Sequence, residues 1–239
     1  MLNNIIRHTL IGATVAAALC SGGTITIDTT PLLGHPAGPF WVYFAFTDGS
    51  GVNDANNSVT ISNVSFGGGS SLGGTIVFGG ASGSLGTGVT LTDTSFFSFF
   101  GEAFAPGLQL SFNLDLTSND DAGGVPDRFT FFILDSSGVP LPTLSPAGDY
   151  FLGADLTSSG AAFDFWGSDP NRSLSTGDPV SIGAPSVTSS VPEPSTVLLL
   201  AASLALLLFR RATVESASAG TSTYRQRGKH HLSASDKCE

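Results

Sequence analysis

The stretch Asn119-Asp120-Asp121-Ala122-Gly123-Gly124-Val125-Pro126-Asp127 places three carboxylates and a carboxamide in one Gly/Pro loop. Hard divalent cations take oxygen ligands of this kind, and calcium takes about six to eight, from carboxylates, carbonyls and water. Asp120, Asp121 and Asp127 are therefore the candidate metal ligands, with Ca2+ as the ion. The spacing does not fit the EF-hand loop, and Asp and Asn also bond their own backbone in ordinary turns.

Other constellations are thinner. Asp115, Asp155 and Asp164 offer carboxylates for glycoside hydrolysis, a chemistry that needs a set separation between two of them. A Ser-His-Asp triad in the middle of the chain would rest on His35, since His8, His230 and His231 lie near the ends. There is no G-x-S-x-G elbow, P-loop or H-E-x-x-H. The glycine-rich run from Phe66 to Gly74 lacks the lysine and the following helix of a phosphate site. Trp41 and Trp166 have two uses, stacking on sugar rings or packing in the core, and core packing is the ordinary one.

The elements around these residues read as strands. Leu108, Leu110, Phe112, Leu114 and Leu116 alternate with Gln109, Ser111, Asn113 and Asp115, a period of two that gives a sheet one buried face. Ile25 and Ile27 alternate in the same way. Val59, Ile61, Val64 and Phe66 alternate with one step out of phase. Phe40–Phe46 and Phe129–Leu134 are strongly apolar runs, and further strand candidates lie in 74–80, 88–104, 149–158 and 161–168. No amphipathic helix of useful length precedes Ser195. Eight to ten short strands with Gly-rich turns predict an all-β fold, a β-sandwich or jelly-roll-like domain over residues 22–177. Of the 18 phenylalanines, all but Phe209 fall within this domain and are assigned to its core. The low-complexity segment 67–88 is expected as a flexible loop with one strand, or as a weakly specified edge. Residues 178–190, rich in Pro, Ser and Thr, are expected as an extended linker.

Composition narrows the classes. Between Ser21 and Ser190 two arginines, Arg128 and Arg172, face fifteen acids, a balance of −13, with no lysine. Such a surface repels phosphate backbones and excludes nucleic acid as a partner. Cys20 and Cys238 flank the domain, which therefore has no disulfide framework and no thiolate metal site. Residues 1–21 have the layout of a signal peptide: a polar start with Arg7, an apolar run from Thr9 to Cys20, and small residues after it. Cleavage after Ala18 suits Ala16-Ala17-Ala18, and bulky Leu19 before Cys20 argues against a lipoprotein site.

Near the C-terminus, Val191-Pro192-Glu193-Pro194-Ser195 precedes an uncharged Leu-rich run and the pair Arg210-Arg211. Residues 196–209 predict a transmembrane helix, roughly 21 Å long at 1.5 Å per residue and short against a bilayer core of about 30 Å. Arg210 and Arg211 act as a cytoplasmic stop-transfer signal by the positive-inside rule. The prolines hold the box extended and out of the helix. A plain C-terminal anchor would have the same hydropathy.

Box, short helix and arginine cluster, in that order over 191–211, resemble the PEP-CTERM sorting signal of bacterial surface proteins. Residues 127–156, an aromatic strand followed by Leu134-Asp135, a Ser/Gly turn and Pro140-Leu141-Pro142-Thr143, are similar to a stretch common in PEP-CTERM ectodomains. Members usually end soon after the arginines, whereas this chain continues with a polar tail, 212–239, expected to be disordered. The resemblance implies an exosortase-type membrane protease as partner, with Val191–Ser195 as its recognition box. It implies an exported protein of the cell envelope, held in the inner membrane by the helix or released to surface or matrix after processing. It further implies a structural or adhesive role, with no catalysis, in an extracellular biofilm matrix containing exopolysaccharide. The rival expectations are a calcium-dependent carbohydrate-binding module and a glycan hydrolase.

Overall fold

Threonine and isoleucine alternate from Thr24 to Asp28, and each isoleucine is buried while its neighbours are not. That pattern, repeated strand after strand, builds the domain seen in a computed structural model that describes residues 23–50, 53–119, 124–174 and 176–188. In chain order the strands are β1 (Thr24–Asp28), β2 (Phe40–Thr47), β3 (Ser58–Ser65), β4 (Ser70–Phe78), β5 (Ser82–Ser84) and β6 (Gly88–Thr92). They continue with β7 (Phe97–Ala105), β8 (Gln109–Leu116), β9 (Asp127–Leu134), β10 (Leu152–Thr157), β11 (Gly160–Phe165) and β12 (Ser186–Thr188). One 3-10 turn, Thr30–Leu32, is the helical element among the described residues. None of these elements is a helix long and apolar enough to cross a membrane. The expected signal peptide, the transmembrane helix 196–209 and the tail 212–239 lie outside the described residues.

The strands form two six-stranded sheets, ordered β12-β1-β8-β3-β6-β5 and β11-β10-β9-β2-β7-β4, with antiparallel pairing throughout. Their inner faces share one core. The first sheet contributes mainly aliphatics, such as Ile25, Ile61, Leu91, Leu110 and Leu114, and the second contributes Phe40, Phe44, Phe100, Phe104, Phe129 and Phe131. Phe112 reaches across the layers, with its ring 5.2 Å from both Phe44 and Phe131 in edge-on contact. Edge-on pairs of this kind add about 0.5–1.5 kcal/mol beyond the area they bury. Nine of the 18 phenylalanines lie in this core among the described residues. Phe66 and Phe165 are half-buried against it, and the other described ones sit on the outer face of the second sheet and in loops, so the assignment of all of them to the core is corrected.

The out-of-phase step in β3 is a bulge. The register against β8 shifts between Ser62 and Ser65, and Asn63 takes a left-handed φ of 52°. One inserted residue returns Val64 and Phe66 to the core side after Val59 and Ile61. The glycine-rich segment forms two edges: β4 borders one sheet and β5 the other. β4 is held by inward-facing Glu102 of β7, which accepts hydrogen bonds from the Ser71 hydroxyl and, at 3.0 Å, from the Thr75 hydroxyl.

Two further expectations need correction. Leu108 stands outside β8 and is 62% exposed, since its carbonyl accepts from the Thr29 amide in a loop. The stretch expected as a linker from 178 belongs to the domain as far as Thr188. Val180 and Ile182 are buried, the Ser168 hydroxyl donates to the Val180 carbonyl at 2.7 Å, and β12 pairs with β1. Composition suggested a linker, but two apolar side chains and a free sheet edge were enough to bind the segment.

Candidate functional site

An outward face of a sheet is ordinarily polar, because water covers it. In β2 both phases are apolar: Phe40, Val42, Phe44 and Phe46 point inward, and Trp41 and Tyr43 take the outward phase. The register continues this outer face. Tyr43 lies opposite Gly101 of β7 and Phe132 of β9, Trp41 opposite Leu134, and Gly101 opposite Ile76 of β4. The result is a groove of about 400 Å3 floored by Trp41, Tyr43, Ile76, Phe99 and Leu134, with Ser136, Ser137 and Gly138 along its rim. Gly101 makes the depression, since a Cβ there would stand 3.1 Å from the Tyr43 ring. The rim turn is fixed by Asp135, whose carboxylate accepts from the Ser137 and Val139 amides at 2.8 and 3.0 Å.

The rings form a row. Phe78 stacks on Phe99 at 5.4 Å and Phe99 on Tyr43 at 5.0 Å. Tyr43 meets Phe132 edge-on at 5.9 Å, and Phe132 meets Tyr150 edge-on at 6.2 Å. From β4 to β9 the row crosses three strand spacings, about 14 Å. Burial pushes the Tyr43 phenol up to about 12, so it remains a neutral ring and hydroxyl at all ordinary pH.

The row ends in a polar knot on the same face. Arg128 donates to Asp155 at 2.6 Å, to the Tyr150 hydroxyl at 2.9 Å and to Asp164 at 3.1 Å. Its guanidinium also lies 5.1 Å from the Tyr150 ring centre. Asp164 accepts from the Tyr150 hydroxyl at 2.7 Å and from the Trp166 indole at 3.0 Å. Gly153 makes room for the knot, because a Cβ there would fall 2.1 Å from Asp164 and 2.3 Å from Arg128. Burial raises the Asp164 carboxyl, but the Trp166 and Tyr150 hydrogen bonds and the Arg128 charge outweigh it and hold the group below the usual carboxylate range.

The residues expected to do chemistry are dispersed. Asp155 and Asp164 come together, joined through Arg128, while Asp115 is exposed on the other sheet. The His35 Nδ1 accepts from the Ala37 amide at 3.2 Å and its ring sits against Phe40, and among the described residues no serine or carboxylate is bonded to it. Asp127 is buried and ties the sheets together: its carboxylate accepts from the Gly49 amide at 2.7 Å and from the Asn57 carboxamide at 2.9 Å. Asp120, Asp121, the box Val191–Ser195 and Arg210-Arg211 lie outside the described residues. Among the described residues no three His, Cys, Asp or Glu side chains form a ready metal site.

Trp41 and Trp166, for which core packing was the ordinary reading, are half-buried on the outer face. The groove itself was missed, although its signal was present in the doubly apolar phase of β2. No curated protein and no solved structure matches the chain. Residues 190–212 match the family described as the PEP-CTERM protein-sorting motif. The chain therefore carries the PEP-CTERM sorting motif, the mark of an exported, membrane-associated cell-envelope protein that is handled by an exosortase.

Proposed function

We propose that the exported sandwich is a structural or adhesive module of the extracellular matrix, and that it holds polysaccharide on the aromatic groove of its second sheet. The single observation that carries this reading is the groove of Trp41, Tyr43 and Phe99 with a hydroxyl-bearing rim. Sugar rings offer C–H faces to aromatic rings and hydroxyls to polar edges, and the groove supplies both. The acidic surface favours a neutral or cation-bridged glycan over a strongly anionic one. The protein takes no catalytic part. Hydrolysis of a glycoside asks for one carboxyl kept protonated beside one ionised. Asp155 and Asp164 instead share a permanent cation, and Asp164 is held in its ionised form.

The test is affinity electrophoresis of the full chain through gels containing exopolysaccharide. Retardation is expected, and Trp41→Ala and Tyr43→Ala are each expected to weaken it about tenfold or more, in line with about 1–3 kcal/mol for losing one stacking ring. Equal mobility with and without glycan, or equal retardation of both variants, would remove the proposal.

A further inference from the structure

The four sheet edges among the described residues are unequal. β12 and β5 have three residues each, and β11 carries Asp164, which Arg128 engages. Short or charged edges resist pairing with a further strand. β4 has nine residues and neither charge nor proline. The chain holds no charged residue at all between Asp54 and Asp93, in a domain that is otherwise acidic.

The first half of β4 is bulged against β7, but Ile76, Val77 and Phe78 pair regularly with Gly101, Phe100 and Phe99. As the last strand of its sheet, β4 turns every second N–H and C=O of this run away from β7. Its side chains are exposed in both phases. Ile76 and Phe78 lie on the outer face and are 49% and 56% exposed. Val77 shares the inward phase of Phe100, yet it is 46% exposed while Phe100 is buried. The strand therefore overhangs the core, with its edge open and apolar groups on both sides.

We propose that a second copy of this chain covers this edge, the two β4 strands pairing antiparallel about a twofold axis at Val77, perpendicular to the sheet. Two observations choose this occupant. A like-charged copy approaches an acidic domain most closely where charge is absent, and the uncharged run supplies that place on both copies at once. The strand is also complementary to itself. Residues directly opposite each other in a sheet point to the same side, so the twofold must lie level with a residue and not between two. At Val77 it sets Val77 against its own copy on the inward side. On the outer side it sets Ile76 of each copy against Phe78 of the other. Pairs of a branched and an aromatic side chain are favoured across strands. The same axis keeps both outer faces on one side, so the aromatic rows of the two copies meet at Phe78. From β9 of one copy to β9 of the other the joined row crosses seven strand spacings, about 33 Å. Pairing itself needs no glycan, so its test is independent of glycan retention.

The experiment is the protein mass per particle of the full chain in detergent, by light scattering after size exclusion, beside Val77→Lys, Val77→Glu and the exposed loop control Leu144→Lys. Two chains per particle are expected for the wild type and the control, and one chain for each Val77 variant. An equimolar mixture of the two Val77 variants is expected to recover the dimer, because opposite charges then face each other across the axis. Should a variant fail to fold, Val77→Cys in a chain with Cys20→Ser and Cys238→Ser decides. The twofold sets the two position-77 Cα atoms about 4.5–5.5 Å apart, within disulfide reach, and oxidation is expected to link them where Leu144→Cys in the same background stays unlinked. A monomeric wild type, an undiminished dimer in the folded Val77 variants, or no disulfide at position 77 would overturn the proposal.

Discussion

Gly153 shows how much of the outer face depends on one missing atom. The Arg128–Asp164 bridge passes over it, and a methyl group would overlap both partners. Gly153→Ala is expected to cost about 1–3 kcal/mol by overpacking and to lower the Tm in a thermal melt. The acids divide by sign. At Asp149, burial acts upward but the Arg172 hydrogen bond, the Thr143 amide and the Arg172 charge prevail, so its carboxyl lies below the usual range, as that of Asp164 does. The unfolded chain binds protons at these two groups more readily than the native one. Their stabilisation is therefore complete above the ordinary aspartate value and is lost as pH falls through the depressed native values. Asp93 has the opposite sign. Burial raises it, so the native state holds its proton longer, and stability falls with rising pH between the ordinary and the raised value. Melts in EDTA from about pH 2 to pH 6 are expected to show the Asp93 limb removed by Asp93→Asn and the Asp149 limb weakened by Asp149→Asn. Carboxylate residues were easy to find in the sequence, but their pairing was not. Asp155 and Asp164 meet only because β10 pairs with both β9 and β11.

At the scale of elements, period-two alternation located most of the strands, because one buried face leaves a direct imprint on the sequence. The bulge in β3 was visible as its phase error. What alternation could not give was the role of segments whose pattern is weak. β12 has three exposed residues and reads as linker, yet its pairing with β1 and the burial of Ile182 just before it make it part of the domain. Ile182→Ala is expected to destabilise the domain by about 2–5 kcal/mol, a cost a true linker residue would not carry, and chemical denaturation measures it. β4 has no hydrophobic pattern of its own and depends on Glu102. Glu102→Ala is expected to speed amide hydrogen exchange across Ser70–Phe78 while leaving β8 and β9 protected, and uniform exchange across all three strands would count against that role.

At the scale of the molecule, most connections carry the chain from one sheet to the other, so its contacts are long-range and its core exists only when both sheets are assembled. Such a topology folds slowly. For an exported chain this favours a domain that acquires its core after passing the membrane. The motif at residues 190–212 was the part of the function written most plainly in the sequence, because its residues are contiguous in the chain and need no fold to bring them together. The groove was less legible, since it is made by four strands distant in the chain and appears only with the register. The measurement that tests the central claim most directly is the mass of the mature protein from native membranes and medium, for the wild type and for Pro192→Ala/Glu193→Ala. The account predicts a wild-type species ending near Val191–Ser195 that is absent from the variant. A tail retaining Arg210 and Arg211 in both would contradict it and leave a plain membrane anchor.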